Sequence, residues 1–118
     1  VEASDAMELA VFVLDRGDGA LAGTVVIRVN ETSPYDAFVG AMWVDPDLRG
    51  GDAAASLLAM AEAFAFSRGS ESCELWVEED NLPARRLYES QGFVHTGVGL
   101  PGRRGVRTLL LQKDVRWQ

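Results

Sequence analysis

A single cysteine, Cys73, and a single histidine, His95, stand among the 118 residues. One thiol cannot close an intrachain disulfide or build a cysteine-rich metal cluster, and the compartment such a composition suits is a reducing, cytoplasmic one. One imidazole cannot assemble a multi-histidine site, so no metal is expected. Long apolar runs are missing as well. Nothing approaches the roughly twenty residues that cross a bilayer, and no charged-then-apolar signal segment opens the chain, so a soluble protein with no membrane partner is expected. Positive charge is scarce: eleven Lys and Arg face eighteen Asp and Glu, a formal net charge of -7. That balance disfavours a nucleic-acid partner, whose binding draws on cationic contacts to phosphate. Repeats, low-complexity segments and linkers are absent, and 47% apolar content fits one domain, 1–118, around one core. The chain opens on Val1 rather than methionine, and the expectation is a trimmed form of a longer product.

What is there begins with alternation. Leu9–Leu14 and Leu21–Val29 are β-branched and apolar around the turn Asp15-Arg-Gly-Asp-Gly19, which predicts a hairpin. A third strand is predicted over Ala37–Val44, with Gly40 marking a bulge or a close backbone approach. From Gly51 to Arg68 the period changes: Leu57, Ala61, Phe64 and Leu58, Ala65 recur at helical spacing and Gly69 stops the helix. A strand over Cys73–Glu78 follows, then a helix with Asn81 as N-cap, Pro83 in its first turn and Gly92 at its end. Strands over Phe93–Val98 and Val106–Asp114 flank a turn rich in Gly and Pro. The order is mixed α/β, α+β-like. The crossover from the third to the fourth strand favours parallel pairing, and a right-handed connection puts its helix on one sheet face.

Two constellations carry chemistry. Val44-Asp-Pro-Asp-Leu-Arg49-Gly50-Gly51-Asp52-Ala53-Ala54 reads as a strand ending on a proline turn and feeding a glycine-bearing helix start. Either the glycines only break the strand, or the unpaired amides and positive dipole end of the helix cradle a phosphate. Tyr88 shares a helix face with Ala84 and Gln91, so it either anchors packing or offers its hydroxyl to a cleft. Elsewhere the plainer readings hold. His95 is structural or exposed, Cys73 a small buried apolar residue, and Arg103, Arg104 and Arg107 belong to a solvated loop. Trp43, Trp76 and Trp117 fill the core or an interface, with Trp76 also able to line a cleft.

Val44-x-Pro46-x-x-Arg49-Gly50 ahead of the Leu57-Leu58 helix, followed by Leu75-x-Val77-x-x-x-Asn81-x-x-Ala84-x-x-Leu87-Tyr88-Glu89-x-x-Gly92-Phe93, resembles the GNAT N-acyltransferase superfamily over roughly Phe38 to Val115. The resemblance implies a splayed mixed sheet flanked by helices, with acetyl-CoA wedged where the third and fourth strands part. It implies an acetyl-CoA-dependent N-acetyltransferase that moves an acetyl group to a primary amine, on a small molecule or a protein, by direct attack. By resemblance, main-chain groups of Met42 and Val44 would hold the pantetheine arm, and an amide there would polarise the thioester carbonyl. Arg49, Gly50, Gly51, Asp52, Ala53 and Ala54 would supply the pyrophosphate cradle, Asn81 would contact the coenzyme or shape its turn, and Tyr88 would protonate the departing thiolate.

Three departures accompany it. Asp52 stands where the family's cradle has its first glycine. A carboxylate about 5 Å from a phosphate charge costs on the order of 3 kcal/mol at an effective dielectric of about 20, and less if it turns to water. A second departure is at Trp76: relatives that acetylate protein N-termini often carry a glutamate there, five residues before the asparagine. The base is then sought among Asp36, Glu74, Glu78 and Glu79. The usual N-terminal strand and helices are also missing, so either they were removed or a second subunit, in a homodimer, supplies the acceptor wall. The acidic balance suits a cationic acceptor. The alternative is a non-catalytic acyl-CoA-binding or regulatory module on the same fold.

Overall fold

The computed structural model describes residues 7–30 and 37–116. The elements run β1 (Met7–Asp15), β2 (Leu21–Asn30), β3 (Ala37–Val44), α1 (Ala53–Ser67), β4 (Ser72–Glu78), α2 (Leu82–Ser90), β5 (Val94–Pro101) and β6 (Arg107–Asp114), with 3-10 turns at Pro46–Leu48 and Arg103–Gly105. Both helices lie within their expected limits, and the strand order along the chain is the expected one. β5 runs past Val98 to Pro101 because an irregularity between His95 and Gly99 lets it continue: Gly97 takes φ 92, and the Thr96 hydroxyl donates to the Leu110 carbonyl at 3.0 Å.

Local chemistry fixes the joints. The β1–β2 turn closes as Asp15 Oδ1 accepts from the Gly17 amide at 2.6 Å and Asp18 Oδ1 from the Ala20 amide at 3.0 Å. Each helix ends in a Schellman motif on a left-handed glycine. In α1 the Ser70 amide reaches the Ala65 carbonyl and the Gly69 amide that of Phe66, both at 3.0 Å; in α2 the corresponding bonds are Phe93 to Tyr88 and Gly92 to Glu89, also at 3.0 Å.

The sheet order is β1-β2-β3-β4-β6-β5, antiparallel throughout except for β3–β4. β3, β4 and β5 therefore point the same way, and the two crossovers advance in the same direction across the sheet. Right-handedness then puts both helices on one face. There Leu57, Leu58, Ala61 and Ala65 of α1 bury against Val25, Ile27, Leu75 and Leu111, while Ala84, Leu87 and Tyr88 of α2 pack on the same cluster. Glu62 of α1, 3% exposed, meets the Lys113 ammonium of β6 at 2.8 Å. Beside that pair, burial pushes the Cys73 thiol up to about 12, so it stays protonated and unreactive.

The opposite face is bare among the described residues. Met7, Leu9, Val11 and Val13 alternate outward along β1, each about half exposed. Trp43 and Trp76 are 42% and 40% exposed, so of the places expected for them the core is excluded, and Trp76 lines a recess instead; strand alternation turns both away from the buried side chains. Trp117 lies outside the described residues, as does Asp36. His95 and the Arg103–Gly105 turn are exposed, as expected.

Candidate functional site

β3 and β4 share one bridge, Phe38 to Glu74, after which the ladder stops. The main-chain groups of β3 that would pair with β4 face a gap instead. A bulge accounts for the change of course. Between the pairs Val26–Gly40 and Thr24–Trp43, β3 carries one more residue than β2, and Ala41 adopts φ 49 to absorb it. Gly40 thus borders the bulge, while the strained residue beside it is an alanine.

At the open end of the gap lies a cavity of about 820 Å³ between β3, the start of α1 and one side of α2. Of the residues expected to form a site, Met42, Val44, Arg49, Gly50, Gly51, Ala54, Asn81 and Tyr88 line it; Asp52 and Ala53 do not. The turn feeding α1 is tightly built. Asp45 accepts the Asp47 amide at 2.9 Å and the Arg16 guanidinium at 2.6 Å, and these contacts, the backbone one foremost, lower its pKa. The Arg49 Nε–H donates to the Val44 carbonyl at 3.0 Å, and Gly50 turns the chain at φ 88. The first α1 bond runs from the Ser56 amide to the Asp52 carbonyl at 2.9 Å, which leaves the amides of Ala53, Ala54 and Ala55 without an intrahelical acceptor. Asp52 is the exposed N-cap residue, and its side chain makes no capping bond. It stands outside the cavity lining and in contact with solvent.

The cavity's charge runs against that of the chain. Arg49 and Arg86 line it, and no carboxylate does. In a protein with net charge -7, this lining is a local concentration of positive charge. Asn81 spends its Oδ1 on the Ala84 amide at 3.3 Å, capping α2 beside the cavity.

Tyr88 owes its position to the end of α2. Its carbonyl takes the Phe93 amide, and the two rings pack edge to face with centroids 6.1 Å apart. Burial raises the phenol's pKa, so the hydroxyl remains a proton donor well into the alkaline range. Gly92, at φ 98, makes this geometry available. Gly92→Ala forces a side chain into the left-handed region, and its Cβ would stand 3.3 Å from the flexible Lys113 side chain. The expected cost, read from urea melts, is about 1–2 kcal/mol.

A second recess of about 480 Å³ opens on the face opposite the helices, lined by Leu9, Arg28, Phe38, Ala41 and Trp76 among others. The bulge divides the two spaces: Ala41 lines one and Met42 the other. Sequence reasoning missed Ala41 and Arg28. An alanine gives no sign of a positive φ, but Arg28 had one: it interrupts the apolar strand Val25-Val-Ile-Arg28-Val29. Glu74, one of the sought bases, accepts from Gln112 Nε2 at 3.3 Å, and Glu78 and Glu79 do not line either space.

The model of the acetyltransferase (GNAT) family matches residues 3–93. The chain belongs to the GNAT family. A GNAT relative, the mycothiol acetyltransferase of Beutenbergia cavernae, is 36% identical over 93 residues, covering 75% of this chain and 31% of that protein. An uncharacterized N-acetyltransferase of Archaeoglobus fulgidus is 33% identical over 78 residues, 63% of this chain and 53% of its own. Against the mycothiol acetyltransferases it matches, the chain spans 25% to 34% of their length. The crystal structure of nourseothricin acetyltransferase superposes with a TM-score of 0.83 at 27% identity, over 91% of this chain and 65% of that one. The GNAT fold accounts for the six-stranded mixed sheet and its parted β3–β4 seam.

Proposed function

We propose that the chain is the acyl-transfer domain of an acetyl-CoA-dependent N-acetyltransferase acting on a primary amine. The observation that carries the reading is the carboxylate-free cavity at the parted seam, whose lining brings Arg49, Arg86, the Gly50 turn and Ala54 of the first turn of α1 together with Tyr88. A polyphosphate suits that donor set, since helix-start amides and guanidinium groups are the two standard partners of phosphate oxygens. The residues present therefore fit coenzyme A, whose acetyl thioester supplies an activated acyl group.

This chain's residues then divide the work. On this reading Arg49, Gly50, Gly51 and Ala54 hold the phosphates, and β3 from Met42 to Val44 offers main-chain hydrogen bonds to an extended arm lying in the gap. An amide of β3 at Met42 or Val44 would, on the same reading, stabilise the carbonyl oxygen as it gains negative charge, the setting in which preorganised donors matter most. Tyr88 holds a proton for the sulfur that leaves. The amine attacks as the neutral base, and its proton passes to water or a carboxylate.

Calorimetric titration with acetyl-CoA, paired with a thiol-release assay across an amine panel, tests this. Micromolar binding is expected, on the order of -8 kcal/mol, with amine-dependent thiol release. Absence of coenzyme binding removes the reading, whereas binding with no release across the panel points to the regulatory module instead.

A further inference from the structure

On the acyl-transfer reading above, we propose that the recess on the far side of the bulge is the acceptor site and that its substrate is a small amine carrying a carboxylate, which Arg28 holds. The recess has the volume of a small-molecule site, about 480 Å³, and it meets the coenzyme cavity only at consecutive bulge residues, Ala41 and Met42. An acceptor lodged there approaches the bulge from the side the coenzyme leaves open.

Its lining specifies the acceptor's chemistry. Leu9, Val26, Phe38 and Trp76 supply apolar and aromatic surface, and Arg28 is the one charged side chain among the lining residues. Leu9, Arg28, Phe38 and Glu74 occupy one lateral row across β1 to β4, each the register partner of the next. The guanidinium carbon lies 5.3 Å from the Phe38 ring centroid, a stacking that fixes the side chain over the recess floor. Among the described residues Arg28 forms no ion pair, while Glu74, the carboxylate in its row, accepts from Gln112. One planar, unspent fork of donors in an otherwise apolar recess matches one carboxylate on an apolar body. The overall acidity had suggested a cationic acceptor; the recess reverses that, because the charge next to the substrate is positive. Ala41 lies three positions along β3 from the Phe38 row, about 10 Å of strand, so both α-amino and ω-amino acids fall within reach of the side chain.

The test uses matched pairs, each an α- or ω-amino acid against its own carboxamide, with kcat/KM measured by thiol release and affinity measured by calorimetry in the presence of coenzyme A. For at least one pair the acid is expected to exceed the amide by about tenfold to a hundredfold, the size of a charge-assisted hydrogen-bonded pair. Arg28→Gln should abolish that preference and Arg28→Lys restore part of it, with acetyl-CoA affinity unchanged in both, because Arg28 does not border the coenzyme cavity. No preference for any acid in either measurement, or a preference that survives Arg28→Gln, overturns the assignment. Loss of acetyl-CoA binding by the unaltered protein would instead defeat the acyl-transfer reading, so the two failures are told apart.

Discussion

Tyr88→Phe should lower the rate of thiol release by about 10²–10³-fold, the range expected for loss of a general acid, while acetyl-CoA affinity stays within about twofold. The substitution deletes one hydroxyl and keeps the ring that packs edge to face on Phe93, so neither α2 nor the cavity wall should shift. Among the described residues no hydrogen bond occupies that hydroxyl, and the half-buried tyrosine is one of the residues that line the cavity. A tyrosine serving only as packing would leave the rate almost unchanged. The pH profile offers an independent readout. Burial raises the phenol's pKa above its ordinary 10.0, so the protonated form persists past pH 10, and release should decline only above that point. The variant should lack this alkaline limb. A wild-type profile that falls between pH 8 and 9 would assign the acid to another group.

Lys113→Met should be strongly destabilising, costing about 3 kcal/mol and lowering Tm by about 12 °C for a domain of this size. The Glu62 carboxylate is 3% exposed, and the ammonium 2.8 Å away bridges α1 to β6. Methionine fills much of the lysine's volume but takes the ammonium away from a carboxylate that is 3% exposed. The double variant Glu62→Gln, Lys113→Met should recover a large part of the loss, since a buried charge no longer remains. Thermal melts of the three variants decide the matter. If the single change costs less than about 1 kcal/mol, other groups around Glu62 carry its charge.

Much of this molecule could be read from local chemistry. Asn81, Gly69 and Gly92 announce helix ends because caps and left-handed turns depend on a few neighbouring residues, and the helix limits followed from them. The parallel β3–β4 pair followed from the length of the crossover. What escaped depends on contacts between distant segments. The chain leaves α2, forms β5 at the sheet edge, and returns to insert β6 beside β4; either strand of that hairpin could have taken the inner place by its sequence alone, and Leu109 and Leu111, buried against the core, decide it. Trp43 and Trp76 escaped because hydrophobicity predicts burial, whereas their parity along the strand decides which face they join. The cradle was legible, being nearly contiguous in sequence. Arg28 was legible only as a break in an apolar strand, because its significance lies in what four different strands place around the recess.

The lone bridge from Phe38 to Glu74 makes the sheet resemble two leaves of a book, β1-β2-β3 and β4-β6-β5, with α1 as its spine, since that helix packs on strands of both leaves. Backbone bonds knit each leaf internally, yet little besides the spine clasps one to the other along the gap. Any molecule that lies in the opening is therefore a bookbinder's stitch, and its binding free energy is added to the cohesion of the whole domain.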